Sequence, residues 1–180
     1  MVFSHIGNFE VLGACGAEQF STRKPETFSL VEDWSDSVFR KIFLERLEEN
    51  SAHFVDVSTI TPATFGKLLS EIERGNLVVM AGDRLSKRSP EKFFEATVLG
   101  EKCRLPSGVF ALAQMLKAPV FFANCVEERG AYTAYFMRAT IAAGAKKRGE
   151  NLALKFAAFL EKSALKTPYQ WYNFFDFFAQ

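Results

Sequence analysis

His5 and Glu10 are the residues whose types and spacing most directly suggest chemistry. A histidine at the end of a strand can place its imidazole in a crevice, and a carboxylate one turn into the following helix can reach back to the other ring nitrogen. Such a carboxylate fixes the tautomer and stabilises the imidazolium that forms when the histidine takes a proton. We therefore predict His5 and Glu10 as a catalytic pair. Gly7, which lets the backbone turn tightly and a substrate approach, and Asn8 are predicted substrate-binding residues.

A second charged cluster begins with Asp83 and Arg84, directly after an apolar run. A guanidinium at a strand end can hold a phosphate or a carboxylate through two parallel hydrogen bonds. The neighbouring cations Lys87, Arg88 and Lys92 would strengthen the local potential. The alternative is a solvated loop in which an Asp-Arg pair only pins a turn. We predict that Asp83, Arg84 and Arg88 contact the substrate, while the sequence leaves both interpretations open.

The hydrophobic pattern predicts the elements that must position these residues. Apolar runs of strand length alternate with segments of helical spacing, which favours an α/β fold with a mainly parallel mixed sheet flanked by helices. Sites in such sheets form outside the carboxyl ends of the strands. His53 opens a strand and has no acidic residue at a useful spacing, so we interpret it as structural or exposed. The predicted strands beyond His5 are residues 27–31, 53–57, 77–81, 93–99 and 119–125, with a hairpin over 126–137. The predicted helices are 38–47, 62–74, 107–117 and 151–164, and Ser107 is predicted to cap the third of them.

Length, charge and missing motifs limit the classes of function. The chain has 180 residues, 48% of them hydrophobic, which suits one domain (1–180) with a substantial core. Its 22 basic and 21 acidic residues nearly cancel, so no global field attracts nucleic acid. No apolar run approaches the roughly 18 residues of a spanning helix, and three cysteines without a C-x-x-C pair predict reduced thiols rather than a metal or redox site. The sequence also lacks the G-x-S-x-G, P-loop and dinucleotide-binding motifs.

Five short motifs, taken in order, resemble one protein family. Residues 5–10, His-Ile-Gly-Asn-Phe-Glu, resemble the H-x-G-N-[WF]-E form of the His-x4-acid motif in the lysophospholipid acyltransferase superfamily, especially its bacterial branch of late lipid A acyltransferases. Four later segments are similar to that branch's landmarks: the strand ending in Asp-Arg (75–84), the F-x-G and P-x-G segment (94–108), a short strand (119–122) and the P-x-Q-W element (168–171). The Asp-Arg pair and the aromatic tail most resemble the acyltransferases of bacterial glycolipid, aminolipid and aryl-polyene pathways.

The resemblance implies an activity and partners. Such enzymes move a fatty acyl group from acyl carrier protein, or from coenzyme A, to a hydroxyl or amine of a membrane lipid or glycolipid acceptor, without a metal or redox cofactor. Their fold is the α/β acyltransferase core, and they work at the cytoplasmic side of the bacterial inner membrane. His5 would be the general base, Glu10 its partner and Arg84 the residue that meets a phosphate or carboxylate. Family members carry a long N-terminal segment with a membrane anchor before the histidine, so we expect this chain to be N-terminally truncated relative to them.

Twenty phenylalanines among 180 residues keep other functions open. They suit either a Phe-rich core or contact with something apolar. A non-catalytic module that binds an acyl chain or acyl carrier protein is the main alternative, and it would not depend on His5 or Glu10. A hydrolase that uses the same pair to activate water is the third.

Overall fold

The computed structural model describes residues 1–9, 11–12, 25–32, 52–57, 60–141 and 147–180. The named elements follow in the order β1 (Val2–Gly7), β2 (Thr27–Val31), β3 (Ala52–Asp56), α1 (Pro62–Glu73), β4 (Leu77–Ala81), β5 (Phe93–Val98), β6 (Glu101–Pro106), α2 (Ser107–Met115), β7 (Phe121–Glu128), β8 (Ala131–Arg138), α3 (Arg148–Lys166) and a 3-10 turn (Pro168–Gln170). The protein is therefore mixed α/β. Its strands β1 and β7, β2 and β3, and β2 and β4 pair in parallel, which confirms the predicted class.

The contacts within the chain divide it into two compact units, of which the second spans Gly16–Met80. Its described strands lie in the order β3, β2, β4. Thr61 caps α1, because its hydroxyl accepts the N–H of Thr64 at 3.2 Å, and Pro62 occupies the first turn. Gly75 follows α1 with a φ of +85°. This helix start and stop are as predicted, whereas the predicted helix 38–47 lies outside the described residues.

The first unit comprises Met1–Cys15 and Ala81–Gln180. Strand β7 lies between β1, to which it is parallel, and β8, to which it is antiparallel. Helix α3 packs on this group through fully buried rings: Phe156 lies 5.3 Å from Phe122 and 5.6 Å from Phe110, between ring centroids. Part of the phenylalanine excess is therefore core.

Two tight hairpins shape the same unit. The turns Leu99-Gly100 and Arg129-Gly130 each place two successive residues at positive φ, as the favoured two-residue hairpin turn requires. The second turn joins β7 to β8 and confirms the predicted hairpin. The first joins β5 to β6, a strand that was not predicted although Cys103 and Leu105 alternate with exposed residues along it.

Two expectations about single residues have different outcomes. Ser107 was expected to cap α2, but Pro106 is the N-cap residue and no side chain caps that helix end. Cys103 and Cys125 are buried thiols, as predicted, and burial raises the pKa of the Cys103 thiol to about 11. Within the described part of the chain, no helix combines the length and apolarity needed to cross a membrane.

Candidate active site

His5 lies toward the carboxyl end of strand β1, two residues before its last residue. Along β1, Val2, Ser4 and Ile6 are buried, while Phe3 and His5 alternate with them and keep partial exposure. This alternation follows from the pleat, which sends successive side chains to opposite faces. The relative solvent exposure of the His5 side chain is 20%. It is held by the sheet and remains accessible from outside.

Asp83 reaches His5 because the chain at Gly82 runs against β1. The N–H of Gly82 donates to the carbonyl oxygen of Phe3 at 2.8 Å. A Cβ atom at Gly82 would lie 2.6 Å from Cγ1 of Val2, so only glycine fits this close approach. The next residue, Asp83, is thereby placed beside His5 with its side chain completely buried.

The Asp83 carboxylate binds His5 twice. One oxygen, Oδ2, accepts the backbone N–H of His5 at 2.7 Å, and the other, Oδ1, lies 2.7 Å from Nδ1 of the imidazole. A carboxylate in this position accepts a hydrogen bond from the N–H at Nδ1, so the lone pair of the neutral ring resides on Nε2. The arrangement is that of a general base with its orienting carboxylate.

Behind the dyad, a buried polar pair ties β1 to β7. The hydroxyl of Ser4 donates to Oδ1 of Asn124 at 2.6 Å, and it accepts the N–H of Ile6 at 3.3 Å. Ser4 and Asn124 are 1% and 2% exposed, so this contact is shielded from water and holds the strand segment on either side of His5. Neither residue was singled out from the sequence, since a Ser and an Asn 120 positions apart carry no local signal.

The C-terminal segment completes the surroundings of His5. The side-chain amide of Gln170 pairs with the main chain of Glu127, accepting its N–H and donating to its oxygen, both at 2.8 Å. Trp171 then forms an antiparallel bridge with Ile6. The N–H of Tyr172 donates to the carbonyl oxygen of His5 at 3.0 Å. The P-x-Q-W element is thus a clamp that fixes this segment along the end of β1.

Arg84 joins the same segment from the other side. Its Nη2 donates to the carbonyl oxygen of Tyr172 at 3.2 Å, and its guanidinium lies 5.4 Å from the centre of the Phe175 ring. Tyr172 therefore touches both His5 and Arg84 through its main chain. The structure places the Arg84 cation at the rim of the site that contains the dyad.

We expect Gln170→Ala to loosen this segment. The substitution removes two hydrogen bonds, each contributing about 1 kcal/mol, so amide exchange at Tyr172 should quicken by about tenfold or more. Hydrogen exchange followed by mass spectrometry measures this directly. Tyr169→Ala is the matched control, because Tyr169 is the adjacent residue and is 98% exposed; equal acceleration in both variants would refute the clamp.

The predicted site residues have different outcomes. Glu10, the predicted partner of His5, lies outside the described residues, and the partner that the structure provides is Asp83. Gly7 is buried against the main chain of Cys125, and Asn8 starts the next helical turn by accepting the N–H of Val11 at 3.1 Å. The N–H of Asn8 donates to the oxygen of Cys125. Substrate contact by Gly7 and Asn8 stays a prediction beside these structural roles.

Arg88 and His53 lie apart from the dyad's hydrogen bonds. Arg88 is exposed, and its N–H donates to Oγ of Ser86 within a turn. His53 is exposed and lies 2.9 Å from a carboxylate oxygen of Glu26, with its ring stacked on Phe28 at 4.6 Å. The prediction that His53 is structural or exposed is confirmed by its exposure, although it has an acidic partner 27 positions away, beyond any local spacing.

No protein-family model matches the chain, and no curated protein matches it at a significant level. Among the described residues, no group of three or more His, Cys, Asp or Glu side chains is arranged to hold a metal ion.

Proposed function

We propose that the protein is an acyltransferase that moves a fatty acyl group from acyl carrier protein, or from coenzyme A, to a hydroxyl or amine of a membrane lipid or glycolipid. The observation that carries the proposal is the His5–Asp83 pair, a part-exposed imidazole whose Nδ1 lies 2.7 Å from a fully buried carboxylate. The ordered motifs from His5 to Trp171 support the choice of acyl transfer among the reactions that such a base can catalyse.

The proposed reaction needs no covalent enzyme intermediate. Nε2 of His5 takes the proton of the acceptor hydroxyl while that oxygen attacks the thioester carbonyl carbon. The tetrahedral intermediate then collapses, the carbon–sulfur bond breaks, and the imidazolium returns its proton to the departing thiolate. An ester and a free thiol result. Asp83 orients the imidazole and balances the positive charge that His5 carries between the two proton transfers.

Arg84 supports a charged acceptor. A guanidinium at the rim of the site pairs well with the phosphate or carboxylate of a lipid headgroup. Its contacts with Tyr172 and Phe175 restrict the side chain before any substrate binds, which lowers the entropic cost of binding. We assign Arg84 to the acceptor and give Asp83, which the resemblance had grouped with it, the orienting role at His5.

The test is transfer of a labelled acyl chain from acyl carrier protein to an extracted bacterial lipid fraction. His5→Ala should lower the rate by about 10²- to 10⁴-fold, because it removes the general base. His53→Ala is the matched control, since His53 also pairs with a carboxylate but lies on an exposed surface. Equal rates for His5→Ala and the unaltered chain would exclude the proposal.

Two other functions are distinguished by the same assay. A hydrolase would release free fatty acid from the thioester when no lipid acceptor is present, and His5→Ala would abolish that release. A binding module would retain the acyl carrier protein without any turnover and without sensitivity to His5.

A further inference from the structure

The C-terminal segment exposes an unusual number of aromatic side chains next to the dyad. Tyr169 and Phe174 are 98% and 88% exposed, and three further rings keep about two fifths or more of their surface in solvent: Tyr172, Phe175 and Phe178. Scattered exposed apolar residues are normal on a protein surface. Five exposed aromatic rings within ten consecutive residues form a concentrated patch, which marks an interaction surface.

Other side chains of the same segment point inward and hold it in place. Trp171 packs edge-on against Phe177, which is 4% exposed, with ring centroids 4.9 Å apart. At the far end, the Gln180 side chain accepts the N–H of Leu85 at 3.4 Å and donates to the oxygen of Arg104 at 3.2 Å. The inward rings and these hydrogen bonds hold the main chain, so the outward rings are presented without being needed for the core.

Two arginines contact the C-terminal segment. Arg84 lies over the Phe175 ring, and Arg104 donates to the main-chain oxygen of Gln180 at 3.3 Å. Lys87 and Arg88 follow Arg84 in the same exposed loop. The single acidic residue of the sequence 167–180 is Asp176, whose carboxylate accepts the N–H groups of Phe178 and Ala179. Aromatic rings bordered by arginine and lysine are what an interface with anionic headgroups recruits.

We propose that residues 169–178, with Arg84, Lys87, Arg88 and Arg104 around them, form the surface that docks the protein on an anionic lipid bilayer. The outward rings would sit at headgroup depth while the cations meet lipid phosphates. This inference rests on the proposed function, because docking there would bring a lipid acceptor close to the His5–Asp83 dyad. Tyr172, which belongs to the patch, is bonded through its main chain to His5. It names the residues by which the site would meet its membrane-bound acceptor.

The test is co-sedimentation of the full chain with vesicles of phosphatidylethanolamine and phosphatidylglycerol, without any acyl donor. We expect binding that weakens when phosphatidylcholine vesicles replace the anionic ones. Phe174→Ser should lower the vesicle partition coefficient by about tenfold, because the ring leaves the apolar part of the interface. Phe136→Ser is the matched control: Phe136 is 45% exposed on β8 of the same unit, and its loss should leave binding unchanged.

Three outcomes would overturn the inference. The first is no sedimentation of the full chain with anionic vesicles, and the second is equal weakening by Phe174→Ser and Phe136→Ser. The third is normal vesicle binding by Phe174→Ser together with weakened binding of acyl carrier protein, which would make the patch a protein-docking surface.

Failure of this inference and failure of the proposed function give different results. His5→Ala should bind vesicles like the unaltered chain, since His5 lies outside the patch. Vesicle binding without any acyl transfer would reject the acyltransferase and keep the docking surface. Acyl transfer to a detergent-dispersed acceptor without vesicle binding would keep the acyltransferase and reject the docking surface.

Discussion

Asp83→Asn is expected to lower kcat of the proposed acyl transfer by as much as His5→Ala does, up to about 10⁴-fold, which is the cost of the same change in a catalytic triad. Asparagine has nearly the same shape, so its oxygen can still accept the N–H of His5 that Asp83 binds at 2.7 Å. Its amide group would then donate to Nδ1 of the imidazole. The ring would carry its proton on Nε2, and His5 could no longer take a proton from the acceptor.

The tautomer of the His5 imidazole shows whether Asp83 orients the ring or only stabilises the fold. In the unaltered chain, ¹⁵N spectra of the neutral imidazole should show the proton on Nδ1, and Asp83→Asn should move it to Nε2. Asp176→Asn serves as the control, because Asp176 is exposed and its carboxylate accepts the N–H groups of Phe178 and Ala179 instead of a group of His5. A rate loss in Asp83→Asn with an unchanged tautomer and a lowered unfolding temperature would assign Asp83 a structural role only.

Gly7→Ala is expected to destabilise the protein by about 3–5 kcal/mol, the range of severe steric changes in a core. An added Cβ would lie 1.9 Å from the carbonyl oxygen of Cys125 and 2.6 Å from its carbonyl carbon. Those atoms cannot withdraw easily, because Cys125 pairs with Ala134 of β8 and its oxygen accepts the N–H of Asn8. The φ of +75° adds strain for any residue with a side chain.

Gly130→Ala is the control for that strain alone. Gly130 has a φ of +79° but nothing within 4 Å of an added Cβ, so its loss should cost only about 1–2 kcal/mol. Urea unfolding followed by circular dichroism compares the two free energies of unfolding. If both variants lose the same stability, the contact between the end of β1 and Cys125 is looser than the structure shows.

Much of the fold could be predicted because its signals are short-range. Thr61 and Pro62 start α1 through contacts within one turn. Gly75 ends it because glycine adopts a positive φ without strain. The hairpin at Arg129-Gly130 likewise follows from turn chemistry between two apolar runs. Strand β6 was missed because its alternation covers only six residues and ends in proline.

The sequence alone determined that His5 lies toward the carboxyl end of a strand and that Asp83 and Arg84 follow another strand, since both conclusions need only the local hydrophobic pattern. It directed attention to Glu10 as the partner, because a nearby carboxylate is the one that spacing can reveal. Only the tertiary structure decided that Asp83, 78 positions from His5, binds its imidazole, and that the P-x-Q-W element clamps the adjacent main chain. The physical reason is that core packing fixes the approach of Gly82 to Phe3 and the pairing of β1 with β7. These contacts join segments that are distant in sequence, so the spacing of residues along the chain cannot predict them.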